Sequence, residues 1–274
     1  MKRNLIAGVL LLSSFWSYSQ YWFGPKIGLN YIDHVYQEST YEKDSFNVPE
    51  NFNFQAGVAI SYTATGLYSV YGELLYERYG KKVTDRQTDG EIVKTEMTNH
   101  FISAPVMLRV TLGRIPFHYY VNGGPRLSYW LGGSGKQDLA EFEEFLTDED
   151  GNPLIVDYNV TFNSSNALAG DRSTAFVSKP NRLQFGLTAG GGIILDVKGE
   201  NRLQIDFRYT WVHSNMGTNN GTEDINFENE TYRENFEYYH NIATVGVAYL
   251  FGYNSDLKRK GKSTSKKSNK NKNK

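Results

Sequence analysis

The chain has 274 residues, 39% of them hydrophobic, with 20 Tyr, 16 Phe, 26 Gly, no Cys and a formal net charge of −1. The lack of cysteine excludes a disulfide framework, a thiolate metal site, a cysteine nucleophile and a cysteine-linked lipid anchor. A membrane-spanning helix needs a run of about 18 or more apolar residues, and the chain has none.

The N-terminus reads as an export signal. Met1-Lys2-Arg3-Asn4 precedes the uncharged apolar stretch Leu5 to Leu12, and Ser17-Tyr18-Ser19 places small residues before a cleavage point. The reading is a signal peptide over 1–19, with the mature chain beginning at Gln20.

Eight segments then show alternation with a period of two, the signature of half-buried strands. The first, 21–32, sets Tyr21, Phe23, Ile27, Leu29 and Tyr31 against Gly24, Lys26, Gly28 and Asn30. The second, 53–62, sets Phe54, Ala56, Val58, Ile60 and Tyr62 against Gln55, Gly57, Ala59 and Ser61. The third, 68–79, carries Tyr68, Val70, Leu74 and Tyr76 opposite Glu73 and Glu77. The fourth, 100–112, carries Ile102, Ala104, Val106, Leu108 and Val110 opposite Ser103 and Arg109. The fifth, 115–131, carries Phe117, Tyr119, Val121, Leu127 and Tyr129 opposite His118, Asn122 and Arg126. The sixth, 182–197, carries Leu183, Phe185, Leu187, Ile193 and Leu195 opposite Gln184, Thr188 and Asp196. The seventh, 202–212, carries Leu203, Ile205, Phe207, Tyr209 and Trp211 opposite Gln204, Asp206, Arg208 and Thr210. The eighth, 241–251, carries Ala243, Val245, Val247, Tyr249 and Phe251 opposite Thr244, Gly246 and Ala248. Pro105 and Pro125 fall inside strands, where each removes a ladder donor, and a bulge is the expected way to absorb them.

Short and long connections alternate. The tight joins are 63–66, Gly113-Arg114 and 198–201, and the long ones span 33–52, 80–99, 132–181 and 213–240. Short periplasmic turns and long external loops are the pattern of an outer-membrane barrel. The expected fold is therefore all-β: an eight-stranded antiparallel up-and-down transmembrane barrel over 20–252. An even strand count puts both termini in the periplasm. Residues 253–274 form a Lys-rich tail that reads as disordered and periplasmic. Nine of the 29 basic residues lie in 258–274 with no acid, and two more in the leader, leaving 18 basic against 30 acidic residues elsewhere. Contact of the tail with anionic lipid heads or an acidic partner competes with an inert solubilising role. Export argues against nucleic acid as its partner.

Alternation alone does not say which face is outside. Charges at mid-strand, Glu73, Arg109, Arg126, Asp206 and Arg208, suit a narrow lumen where they pair. Aromatics near strand ends, among them Tyr21, Tyr31, Tyr76, Tyr119, Tyr129, Trp211 and Phe251, suit two interfacial girdles. A soluble periplasmic lipocalin-like carrier is the opposite, inside-out reading.

Several segments carry a resemblance. Tyr71-Gly72-Glu73-Leu74-Leu75-Tyr76 with Gly80, Ile102 to Leu108, Gly123-Gly124-Pro125-Arg126-Leu127, and Asp206-Phe207-Arg208-Tyr209 resemble the PorT-like outer-membrane β-barrel family. The resemblance spans Tyr21 to Phe251. It implies eight strands, a Glu in the third and an Arg in the seventh, and a link to type IX protein secretion.

The chemical motifs are weak. Gly132-Gly133-Ser134-Gly135-Lys136 lacks both the leading Gly and the Ser or Thr after Lys of a phosphate loop. Asp148, Asp150 and Asn152 have calcium-loop spacing, but Pro153 stands where that loop needs Gly. His34, His213 and His240 come from neighbouring strand ends, yet the alternation turns His34 and His240 inward and His213 outward. No cofactor, metal site or catalytic set is expected. The reading is a non-enzymatic structural or accessory barrel, with outer-membrane lipid and envelope or secretion-complex proteins as partners. A small-pore transport protein and the soluble carrier are the alternatives.

Overall fold

The computed structural model describes residues 20–36, 46–48, 51–63, 67–85, 93–138, 155–162, 174–177, 179–197, 200–217 and 236–254. The expected leader over 1–19, the acidic 148–152 segment and the Lys-rich tail beyond Asn254 lie outside them.

The strands are β1 (Gln20–Tyr36), β2 (Phe46–Asn47), β3 (Asn51–Thr63), β4 (Tyr68–Asp85), β5 (Val93–Arg114), β6 (Phe117–Asp138), β7 (Ile155–Thr161), β8 (Thr174–Phe176), β9 (Leu183–Asp196), β10 (Arg202–Val212) and β11 (Tyr238–Asn254). Eight of them close a ring in the order β1-β3-β4-β5-β6-β9-β10-β11, each antiparallel to its neighbours. Closure comes from β1 against β11, where Tyr21 faces Tyr253 and Tyr36 faces Tyr238. A closed ring leaves no unpaired edge in the wall, which a lipid environment requires.

The period-two pattern determines what each face meets. Phe23, Ile27, Leu29, Val58, Leu74, Val106, Leu108, Val121, Leu187, Phe207 and Val245 all point outward and are exposed. Lys26, Glu73, Arg109, Arg126, Asp206 and Arg208 point inward and are buried. This is the reverse of a water-soluble barrel, whose apolar side chains fill its interior, so the lipocalin-like arrangement does not hold. Aromatic rings mark both rims of the apolar band. Tyr21 and Tyr62 pair at 5.1 Å near the terminal end, and Tyr31 and Phe52 at 5.4 Å near the other.

The connections differ from expectation in three ways. First, β4, β5 and β6 run past the upper aromatic rim, so most of the segment expected as a loop at 80–99 is strand, and 132–138 extends β6 into the next expected loop. β7 pairs with β6, and β8 runs parallel to β7, inside the segment expected to be one long loop. Second, the turn between β5 and β6 falls at Ile115-Pro116 rather than Gly113-Arg114, since both of the latter still pair with β6. Third, neither strand proline forms a bulge. Pro105 faces Arg126 and Pro125 faces Leu187, with the register unchanged on either side. The ladder keeps its register across each missing donor, with the pairing of β5 and β6 resuming at Leu108 opposite Gly123. The register shifts instead between His100 and Phe101 on β5, where Gly132 takes a φ of +150°, a conformation that favours glycine. The last strand ends at Asn254, two residues beyond the expected end of the barrel.

Candidate functional site: a filled lumen

The interior is packed in successive layers. At the terminal end, Trp22 lies under the Arg202 guanidinium at 3.8 Å and donates from Nε1 to the Glu200 carbonyl at 3.1 Å. Arg202 Nε donates to Asp196 Oδ1 at 3.0 Å, and His118 Nε2 lies 2.7 Å from Asp196 Oδ2. Tyr71, Met107, Ala248 and Leu250 pack with Trp22 in an apolar layer.

At mid-barrel, four charges from three strands meet across the lumen. Lys26 Nζ donates to Glu73 Oε1 at 2.8 Å and Asp206 Oδ2 at 2.6 Å. Arg208 Nη1 donates to Glu73 Oε2 at 2.9 Å, and its Nε lies 3.0 Å from Asp206 Oδ2. Two cations thus share two carboxylates, each side chain at most 4% exposed. Charges removed from water are costly unless paired, and here each has an opposite charge within hydrogen-bonding distance. β11 lies between Lys26 and Asp206, and the pair meets over Gly246. A Cβ there would stand 2.5 Å from Asp206 Oδ1 and 2.9 Å from Lys26 Cε.

A second group sits around Glu77, which accepts hydrogen bonds from the Tyr79 hydroxyl, the Ser103 hydroxyl and Arg126 Nη2. Arg126 Nε also donates to Ser128 Oγ at 3.1 Å.

The five charges singled out in the sequence therefore do not form one network. Glu73, Asp206 and Arg208 meet, with Lys26 as their fourth member. Arg126 belongs to the Glu77 group. Arg109 has no carboxylate partner among the described residues. It lies between the rings of Tyr71 and Tyr120 at 3.7 and 4.0 Å and donates from Nη1 to Gln204 Oε1 at 3.0 Å. Lys26 and Glu77 are visible as inward-facing charges in the alternation. Their pairings are not, because each partner lies on a strand distant in sequence.

Beyond the charged layers, the end opposite the termini is closed by an apolar plug of Ile32, Tyr79, Met97, Phe101, Trp130, Val212, Phe236 and Tyr238, joined by Tyr158 and Val160 of β7. Trp130 sits at its centre with no exposed surface, 4.6 Å from the Phe162 ring and 5.6 Å from Phe236. Its Nε1 donates to Asn99 Oδ1 at 3.1 Å and the Gly132 carbonyl at 3.0 Å. Trp130→Ala is expected to lower stability by about 3–5 kcal/mol, read as a lower urea midpoint of the folded barrel in detergent.

The other motifs resolve into structure. The stretch Gly132 to Lys136 is β-strand, so it forms no phosphate loop. His34 and His240 meet edge to face with ring centroids 5.1 Å apart, while His213 is exposed. No group of three or more His, Asp or Glu suited to a metal occurs among the described residues.

A closed ring of eight antiparallel strands, apolar outside and charged within, defines a transmembrane β-barrel with an occupied interior. The chain belongs to the outer membrane protein beta-barrel domain family, whose profile matches residues 17–216. It is thus a protein of the outer membrane. No curated protein sequence matches it. Among solved structures it is similar to Ail, the attachment invasion locus protein of Yersinia pestis, at 13% identity and a TM-score of 0.35, covering 84% of this chain and 98% of Ail. It is also similar to the outer membrane protein OprG of Pseudomonas aeruginosa, at 10% identity and a TM-score of 0.43, covering 86% and 95%. Neisserial surface protein A is similar at 11% identity and a TM-score of 0.36, covering 85% and 96%.

Proposed function

We propose that this chain is a non-conducting, non-enzymatic barrel that serves the outer membrane as an accessory or docking protein. The single observation that carries the reading is the filling of the lumen along its length. Side chains occupy the terminal end, the middle and the external end, and an eight-stranded wall has room inside for little else. Solute passage would require breaking either the Lys26-Glu73-Asp206-Arg208 group or the plug around Trp130. What the barrel offers to partners is its lipid-facing wall and the sheet that β4 to β7 raise above the external aromatic rim.

The resemblance to PorT-like barrels supports a finer reading, participation in protein secretion of the type IX kind with envelope proteins as partners. In that arrangement residues 1–19 direct export, both termini lie in the periplasm, and the basic tail faces periplasmic partners or lipid head groups. The test has two parts. Purified protein in planar bilayers is expected to give no conductance steps above background, and well-resolved steps would favour the small-pore alternative. Deletion of the chain is expected to leave secreted cargo inside the cell, with envelope proteins co-purifying with the tagged wild type. Normal cargo export in the deletion strain would remove the secretion role.

A further inference from the structure

Among Lys26, Glu73, Glu77, Arg109, Arg126, Asp206 and Arg208, the buried cations outnumber the carboxylates by one. Lys26 and Arg208 balance Glu73 and Asp206, and Arg126 balances Glu77. Arg109 is left with one neutral amide and two ring faces, although it is only 2% exposed. Its Nε and Nη2 have no hydrogen-bond partner.

The strand register puts other unpartnered groups beside it. Arg109 faces Asn122 across β5 and β6, Asn122 faces Gly190 across β6 and β9, and Gly190 faces Arg208 across β9 and β10. Asn122 is 7% exposed, and neither atom of its amide has a partner. Arg208 is 3% exposed and keeps Nη2 free while Nη1 serves Glu73. Gly190 supplies no side chain to separate them. A Cβ there would stand 2.5 Å from Arg208 Cγ, so the Arg208 stem crosses the space above this glycine.

We propose that this row, Arg109, Asn122 and Arg208, binds a small monovalent anion of chloride size inside the barrel. Buried donors left without acceptors are costly, and more so when charged. A neutral water would accept from one or two of them and leave the excess charge standing. A halide accepts from guanidinium and amide donors together and removes the charge as well. The Tyr71 and Tyr120 rings on either face of Arg109 keep bulk water from its flat sides, which strengthens the attraction.

The direct test uses the full-length wild-type barrel crystallised from detergent with bromide in place of chloride, and data collected at the bromine edge. The proposal expects an anomalous peak within hydrogen-bonding reach of Arg109 and Arg208. Ordered water at the row, or bromide confined to the outer surface, overturns it. In solution, the unfolding temperature is compared in chloride and in gluconate at equal ionic strength. Chloride is expected to raise the wild-type midpoint by about 2–5 °C and to saturate. Arg109→Gln is expected to abolish that rise. A wild-type midpoint that is the same in both salts counts against the site, and the bromide crystal decides the question even if Arg109→Gln fails to fold.

Discussion

Glu73→Ala is expected to destabilise the barrel by about 3–5 kcal/mol, the largest loss for any single charge removed from the lumen. Glu73 is the acceptor for both Lys26 Nζ, at 2.8 Å, and Arg208 Nη1, at 2.9 Å. Removing it strands two cations that share only Asp206, in a place closed off from bulk water. The readout is the urea midpoint in detergent micelles, followed by the mobility difference between unboiled and boiled samples. A double substitution separates charge from packing. Adding Lys26→Met to Glu73→Ala removes one of the stranded cations, so part of the lost stability is expected to return. If the double variant is less stable than Glu73→Ala by the full cost of Lys26→Met alone, the two side chains are not coupled and the four charges do not act as a group.

Leu74→Arg, one residue further along β4, is expected to fail for the opposite reason. Leu74 is 54% exposed, which in water would tolerate an arginine at little cost. It lies between Tyr68 and Tyr76, the aromatic residues at the two rims on this strand, so its surroundings are hydrocarbon. Arginine at the bilayer midplane of a barrel costs about 2–4 kcal/mol. The same substitution at exposed Ile115, in the turn beyond the band, is expected to be close to neutral. Measured in lipid vesicles, a large cost at 74 and almost none at 115 is the predicted contrast. Equal small costs at both would mean that water covers the wall.

The wall is legible in the sequence because a strand's period of two records the contrast between its two faces directly. Val106, Leu108 and Val110 need no partner to be assigned to one face; alternation with Ser103 and Arg109 suffices. The same local signal places Glu73, Asp206 and Arg208 on the opposite, polar face. It does not say that Glu73 meets Lys26 and Arg208 while Arg126 meets Glu77. Those contacts depend on the stagger of the closed ring, which no single strand encodes. The apolar plug is hidden for a related reason. Phe101, Trp130 and Phe236 keep the inward phase of Ser103, Ser128 and His240, but they lie where the inner face turns from polar to apolar. On β6 the outward phase changes only at Gly132, beyond Trp130, and that change reads as the end of a strand. Pro105 and Pro125 mislead in the other direction, since a paired ladder absorbs a missing donor without changing register.

The barrel stands in the membrane only if the apolar faces of these strands meet lipid and the charged faces meet each other. The chain has no cysteine of its own, so single cysteines introduced along β5 report without background. We would attach a nitroxide in turn to positions 102 through 110 of the folded protein in vesicles and measure its exposure to oxygen and to a water-soluble nickel chelate. Strong oxygen and weak chelate exposure at 102, 104, 106, 108 and 110, alternating with low exposure to both at 103, 105, 107 and 109, is the predicted result. Strong chelate exposure at the even positions would contradict it and place the wall in water.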